Sequence, residues 1–135
     1  MRMSATVLDA PDPPALARFY ERLLGWPIAV VEPTWVMLKP PGDGIGLSFQ
    51  YEPAYAPPVW PGTPGEQLMM AHLDIAVVDL DEAVAWAIEA GARIADFQPQ
   101  DDVRVMLDPA GHPFCLFPAP EWVEEESRSP SSSAT

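Results

Sequence analysis

At 135 residues the chain fits one ordinary domain and is too short for a catalytic domain joined to a regulatory one. Apolar residues make up 48%, enough for a core without staples, and the single cysteine, Cys115, excludes a disulfide within the chain. A net charge of −13 sets up a field that repels nucleic acid and anionic membrane surfaces, and no apolar run approaches the roughly 20 residues of a spanning helix.

The start, Met1-Arg2-Met3-Ser4, leads into polar and proline-rich sequence rather than a secretory apolar run, so a cytoplasmic protein is expected. A strand is predicted over residues 5–8. Apolar residues at helical spacing then predict a helix over 13–24, with Asp12 as its N-cap and Gly25 as its stop. Short strands follow over 27–31, 35–38 and 45–51. Residues 53–70 form a linker stiffened by the prolines between Pro53 and Pro64. After it the order recurs: a strand over 73–77, a helix over 80–90 capped by Asp79 and ended by Gly91, then strands over 93–97, 103–107 and 114–117. Asp108-Pro109-Ala110-Gly111 is a turn signal joining the last two as a hairpin, with His112 on its solvent side. From Glu121 the chain is acidic and then serine-rich; with little to bury, residues 121–135 are expected to be a disordered tail.

The recurrence has a period of 67 residues. Asp12 matches Asp79, Phe19 matches Trp86, Gly44 matches Gly111, and Val36, Leu38 and Ser48 match Val103, Val105 and Cys115. Such a period means two copies of one module rather than a solenoid. Each copy reads as βαβββ: module 1 over about 4–52 and module 2 over about 71–118, together a single domain over 1–120. One helix covers one face of a four-stranded sheet, so the other face must pack on something or line a cavity.

The paired modules, Phe19-Tyr20 followed by Leu23-Leu24-Gly25-Trp26, the start His72-Leu73-Asp74-Ile75-Ala76-Val77, and Asp108-Pro109-Ala110-Gly111-His112-Pro113-Phe114 together resemble the vicinal oxygen chelate superfamily. That group contains glyoxalase I, extradiol dioxygenases and bleomycin-resistance proteins. The resemblance covers about residues 4–118 and is nearest to small glyoxalase-like domain proteins. It implies an α+β fold in which two tandem βαβββ modules form a curved half-barrel trough holding the active or binding site.

Metal-dependent members of the superfamily place His or Gln on the first strand of a module and a carboxylate on the last. Carried over, His72 stands at the first-strand position of module 2 and its counterpart Ala5 has no donor atom. Cys115 and Ser48 hold the carboxylate positions. This set is a poor shell for a hard, oxygen-chelating ion, so no metal or other cofactor is expected, with His72 the ligand if there is one. Asp74, two residues from His72, and Gln50, two from Ser48, share their faces and offer a displaced donor set with His72. Cys115 beside His72 also suggests a soft-metal site or an activated thiolate, against the plainer reading of a small buried residue.

Alternation places Leu73, Ile75, Val77, Phe114 and Leu116 beneath the helix and His72, Asp74, Ala76, Cys115 and Phe117 on the trough side. Ser48 and Gln50 take that side in module 1. Trp60 of the linker reads equally as a trough wall or as a cap on the core. The expected ligand-binding residues are therefore His72, Asp74, Ser48, Gln50, Trp60, Cys115 and Phe117, and no catalytic residue is assigned.

The leading expectation is a protein that binds a neutral or cationic small molecule without the superfamily's usual metal; whether it is also an enzyme stays open. The rival is a divalent-metal-dependent lyase, isomerase or dioxygenase using His72 with displaced donors, and a third reading is a partner-binding domain whose trough is filled. A stiff linker and exposed sheet edges further suggest a homodimer in which modules pair between chains.

Overall fold

The computed structural model describes residues 1–127, and the fold is α+β. The chain divides into two compact units, Met1–Ala56 and the part from Pro57 onward.

The first unit contains β1 (Ala5–Ala10), α1 (Pro13–Leu24), β2 (Ile28–Glu32), β3 (Trp35–Leu38) and β4 (Gly46–Tyr51). Its sheet is open, with order β1-β4-β3-β2; β1 pairs with β4 in parallel and the other pairs are antiparallel. Helix α1 starts where sequence chemistry dictates. Asp12 accepts a hydrogen bond from the Ala15 amide at 3.2 Å, and Pro13 and Pro14 occupy the first turn, where no amide partner is needed. Gly25, at φ 72°, ends the helix in the left-handed region. The buried face of α1 brings Leu16 and Tyr20 onto Val36, Leu38 and Phe49 of the sheet, all at most 2% exposed. Tyr20 stacks on Phe49 at 5.5 Å between ring centroids.

The second unit repeats the plan with β5 (Leu73–Val77), α2 (Leu80–Ala90), β6 (Arg93–Ile94), β7 (Arg104–Leu107) and β8 (Pro113–Pro118), in the order β5-β8-β7-β6. Asp79 caps α2 by accepting from the Glu82 amide at 2.9 Å. The repeat is visible in the pairing: Val7 faces Ser48 and Asp74 faces Cys115, each 67 residues on. The third strands are out of step, however. Met37 pairs with Ser48 and Val105 with Cys115, so Val105 is the counterpart of Met37 and not of Leu38 as the sequence matching implied. Phe19 and Trp86 also part company, since Phe19 is 3% exposed and Trp86 47%. Helix α2 buries Ala87 and Ala90 instead of large side chains.

Two expected spans need correction. The strand predicted over 93–97 stops at Ile94, because the Gln98 side chain takes over the pairing. Its amide donates to Ala95 O and Val105 O, and its carbonyl accepts from the Val105 amide, all within 2.9 Å. Beyond Ala56 the linker is tied to the second unit. The Trp60 indole donates to the Phe97 carbonyl at 3.1 Å, and Pro57 lies so near Gly111 that a Cβ there would come within 2.8 Å of its side chain. The tail expected from Glu121 begins as helix α3 (Pro120–Ser127). The Ala119 amide ties its start to Val77 O at 2.9 Å, and Trp122 packs edge-on against Phe117 at 5.7 Å. Residues 128–135 lie outside the described residues.

The β7–β8 hairpin is held from inside. Asp108 is buried, and its Oδ1 accepts from the amides of Ala110 and His112, both at 2.9 Å. His112 Nδ1 lies 2.8 Å from Asp108 Oδ2. His112 is therefore a partly buried staple of the turn, not the solvent-side residue expected: a buried carboxylate needs donors, and this turn supplies them. Among the described residues no helix is long and apolar enough to cross a membrane.

Candidate functional site

Strand alternation builds the site in the second unit. Phe114 and Leu116 of β8 are 0% and 1% exposed beneath α2, which turns Cys115 and Phe117 to the opposite face. Parallel pairing in register sets Asp74 beside Cys115 and Ala76 beside Phe117. His72, two residues before Asp74, falls on the same face, and its Nε2 lies 2.9 Å from Asp74 Oδ1. His72, Asp74, Cys115 and Phe117 thus line one open pocket of about 290 Å³. Gln100, Asp102 and Val103 complete its wall from the loop between β6 and β7, with Pro118 at the end of β8.

The electrostatics centre on Asp74. Burial in the first place, then the Asp74 charge and a hydrogen bond to its carboxylate, push the Cys115 thiol above its ordinary pKa. A thiol held protonated in this way is a poor nucleophile near neutral pH, which weighs against the activated-thiolate reading. Asp74 and Asp102 make the pocket acidic, and among the described residues no Lys or Arg lines it.

Four of the seven expected ligand-binding residues therefore converge: His72, Asp74, Cys115 and Phe117. The other three do not line this pocket. Ser48, in β4, is fully buried, and its Oγ has no hydrogen-bond partner among the described residues. Gln50 is exposed, and its Nε2 donates to Asp9 Oδ1 at 2.9 Å. Trp60 donates its indole N–H to Phe97 O and packs against that ring at 5.9 Å, away from the lining of this pocket. Gln100, Asp102 and Val103 escape sequence reasoning because loop residues carry no periodicity to reveal their facing.

The profile of the glyoxalase-like domain family matches residues 5–117. The chain belongs to this family. Solved structures agree on the fold. A glyoxalase/bleomycin resistance protein/dioxygenase family enzyme from Burkholderia phytofirmans is 19% identical, with a TM-score of 0.65 over 87% of this chain and 98% of that one. A glyoxalase-related enzyme from Fulvimarina pelagi, also 19% identical, gives 0.62 over 89% of each chain. Lactoylglutathione lyase from Agrobacterium tumefaciens, 17% identical, gives 0.58 over 90% of this chain and 96% of that one. No curated protein matches in sequence. The glyoxalase-like fold brings with it the question of a hard metal centre, and the donors present do not fit one: Ala5 offers no ligand atom, Ser48 Oγ is sealed in, and the carboxylate position of β8 is a cysteine.

Proposed function

We propose that this glyoxalase-like protein binds a neutral or cationic small molecule in the second-unit pocket, without the superfamily's hard-metal centre. The carrying observation is the lining itself: two carboxylates, an imidazole and an aromatic ring around about 290 Å³, at the small end of the range for ligand sites. Acidic groups beside Phe117 favour a positive or neutral guest, through charge and through the ring face, and disfavour an anion.

The reading is tested with a panel of small cationic, neutral and anionic aromatic compounds in thermal-shift titrations. Cationic or neutral compounds are expected to raise the melting temperature of the native protein and to lose that effect in His72→Ala. The variant itself should stay within about 0.5 kcal/mol of native stability, because the His72 side chain is 36% exposed. Preferential binding of anions, or a loss of several kcal/mol in the variant, overturns the proposal.

One observation favours a second reading, a metal-dependent lyase, isomerase or dioxygenase using His72 with displaced donors. The ligand atoms of His72, Asp74 and Cys115 all lie within 4.8 Å of one another. Metal analysis of protein purified without chelator, combined with turnover assays on the loaded protein, separates the two readings.

We also propose a homodimer. Large apolar side chains exposed on each unit, among them Val31 in the first and Ile88 and Trp86 in the second, leave apolar area that a second copy would cover. Light scattering should give twice the chain mass of 14.8 kDa; a concentration-independent mass near the single value rules the dimer out.

A further inference from the structure

We propose that His72, Asp74 and Cys115 form a binding site for a thiophilic divalent cation, of which Zn²⁺ and Cd²⁺ are the type, within the second unit alone. This rests on reading the second-unit pocket as the protein's binding site and names one class of guest for it.

The backbone brings the donors together. His72, immediately before β5, and Asp74 within it are two apart and line the same pocket, and the parallel register sets Cys115 of β8 directly beside Asp74. One imidazole nitrogen, one carboxylate oxygen and one sulfur then lie within 4.8 Å of one another. Donors held about 2.0–2.3 Å from a shared ion stand about 3.5 Å apart. The present spacing, 2.9 Å between His72 and Asp74 and at most 4.8 Å across the set, brackets that value, within the reach of side-chain rotation. His72 and Asp74 are exposed and Cys115 is only partly buried, so nothing packed tightly resists that rotation.

The donor types select the ion. A thiolate is soft and an imidazole borderline, which suits Zn²⁺ and Cd²⁺ and disfavours Mg²⁺ and Ca²⁺, whose shells are built from oxygen. The Cys115 thiol gives up its proton to solvent as the S–metal bond forms, a displacement that a coordinating divalent ion drives. Thiolate and carboxylate then balance the double positive charge, leaving no unpaired charge in a partly buried place. Three protein donors leave a coordination position open toward the pocket, where water or a small ligand completes the shell. The arrangement differs from the superfamily's hard centre in drawing its donors from one module and in including sulfur.

Co²⁺ serves as the spectroscopic probe, titrated into the full chain stripped of metal under reducing conditions. The expected result is a saturable, one-to-one near-ultraviolet thiolate-to-cobalt band, bleached by Zn²⁺ or Cd²⁺ and untouched by excess Mg²⁺. Cys115→Ser should abolish the band. His72→Ala and Asp74→Asn should each weaken Co²⁺ binding by more than about tenfold, since even residues that only orient ligands have effects of that order. Circular dichroism of each variant confirms folding, and the three substitutions are scored independently, so one misfolded variant leaves two to decide.

A missing band in the folded native protein, a band retained in Cys115→Ser, or displacement by Mg²⁺ overturns the proposal. If the band is missing while the thermal-shift panel still shows His72-dependent binding, the cation site fails and the small-molecule reading survives. If both are missing, the pocket itself is not the binding site.

Discussion

Replacing Asp108 with Ala is expected to destabilise the protein by about 3 kcal/mol, because a buried carboxylate is removed from beneath groups that depend on it. Its Oδ1 accepts from two backbone amides, Ala110 and His112, and its Oδ2 lies 2.8 Å from His112 Nδ1. Hydrogen bonds to a charged acceptor contribute about 1.5–3 kcal/mol each, and the alanine leaves donors facing an apolar hole. Asp108→Asn keeps one acceptor oxygen at a similar volume, so its loss should be smaller. Urea unfolding monitored by circular dichroism measures both. The hairpin also determines where β8 enters the sheet, and β8 carries Cys115 and Phe117. Asp108→Ala should therefore weaken binding at the pocket even under conditions where the variant stays folded. A loss below about 1 kcal/mol would mean that water replaces the carboxylate and that the staple contributes little.

The helices were legible because the residues that begin and end them act locally. Asp12 and Asp79 cap, Gly25 and Gly91 stop, and both helices run over the predicted spans. The missed features depend on tertiary partners or on a few residues with weak signals. Strand β6 ends early because a Gln98 side chain substitutes for backbone, which no period-two pattern reveals. Helix α3 forms on Trp122 and Val123, with Phe117 supplying the surface that Trp122 packs on. The third strands are shifted by one residue relative to the 67-residue period, and the loop that absorbs the shift could not be located from residue identities. At the site, alternation along β5 and β8 was sufficient to bring out His72, Asp74, Cys115 and Phe117. Ser48 carried the same alternation signal but is sealed, since facing is a property of a strand whereas burial depends on what covers it.

Phe19 and Trp86 occupy the same place in the repeat, and their alanine variants should differ severalfold. Phe19 is 3% exposed and meets Tyr20 edge-on at 4.8 Å, so Phe19→Ala should cost about 3–5 kcal/mol, the transfer term plus an unfilled cavity. Trp86 is 47% exposed on the outer side of a helix whose inward positions are alanines. With half its surface already in water, Trp86→Ala should cost about 1 kcal/mol. Urea melts at low protein concentration give both values. The comparison also bears on assembly, because exposure here refers to the single chain. If a second copy covers Trp86, the cost of Trp86→Ala should grow with protein concentration, whereas that of Phe19→Ala should stay constant. A Trp86→Ala cost that stays near 1 kcal/mol at every concentration places the dimer contact elsewhere on the surface.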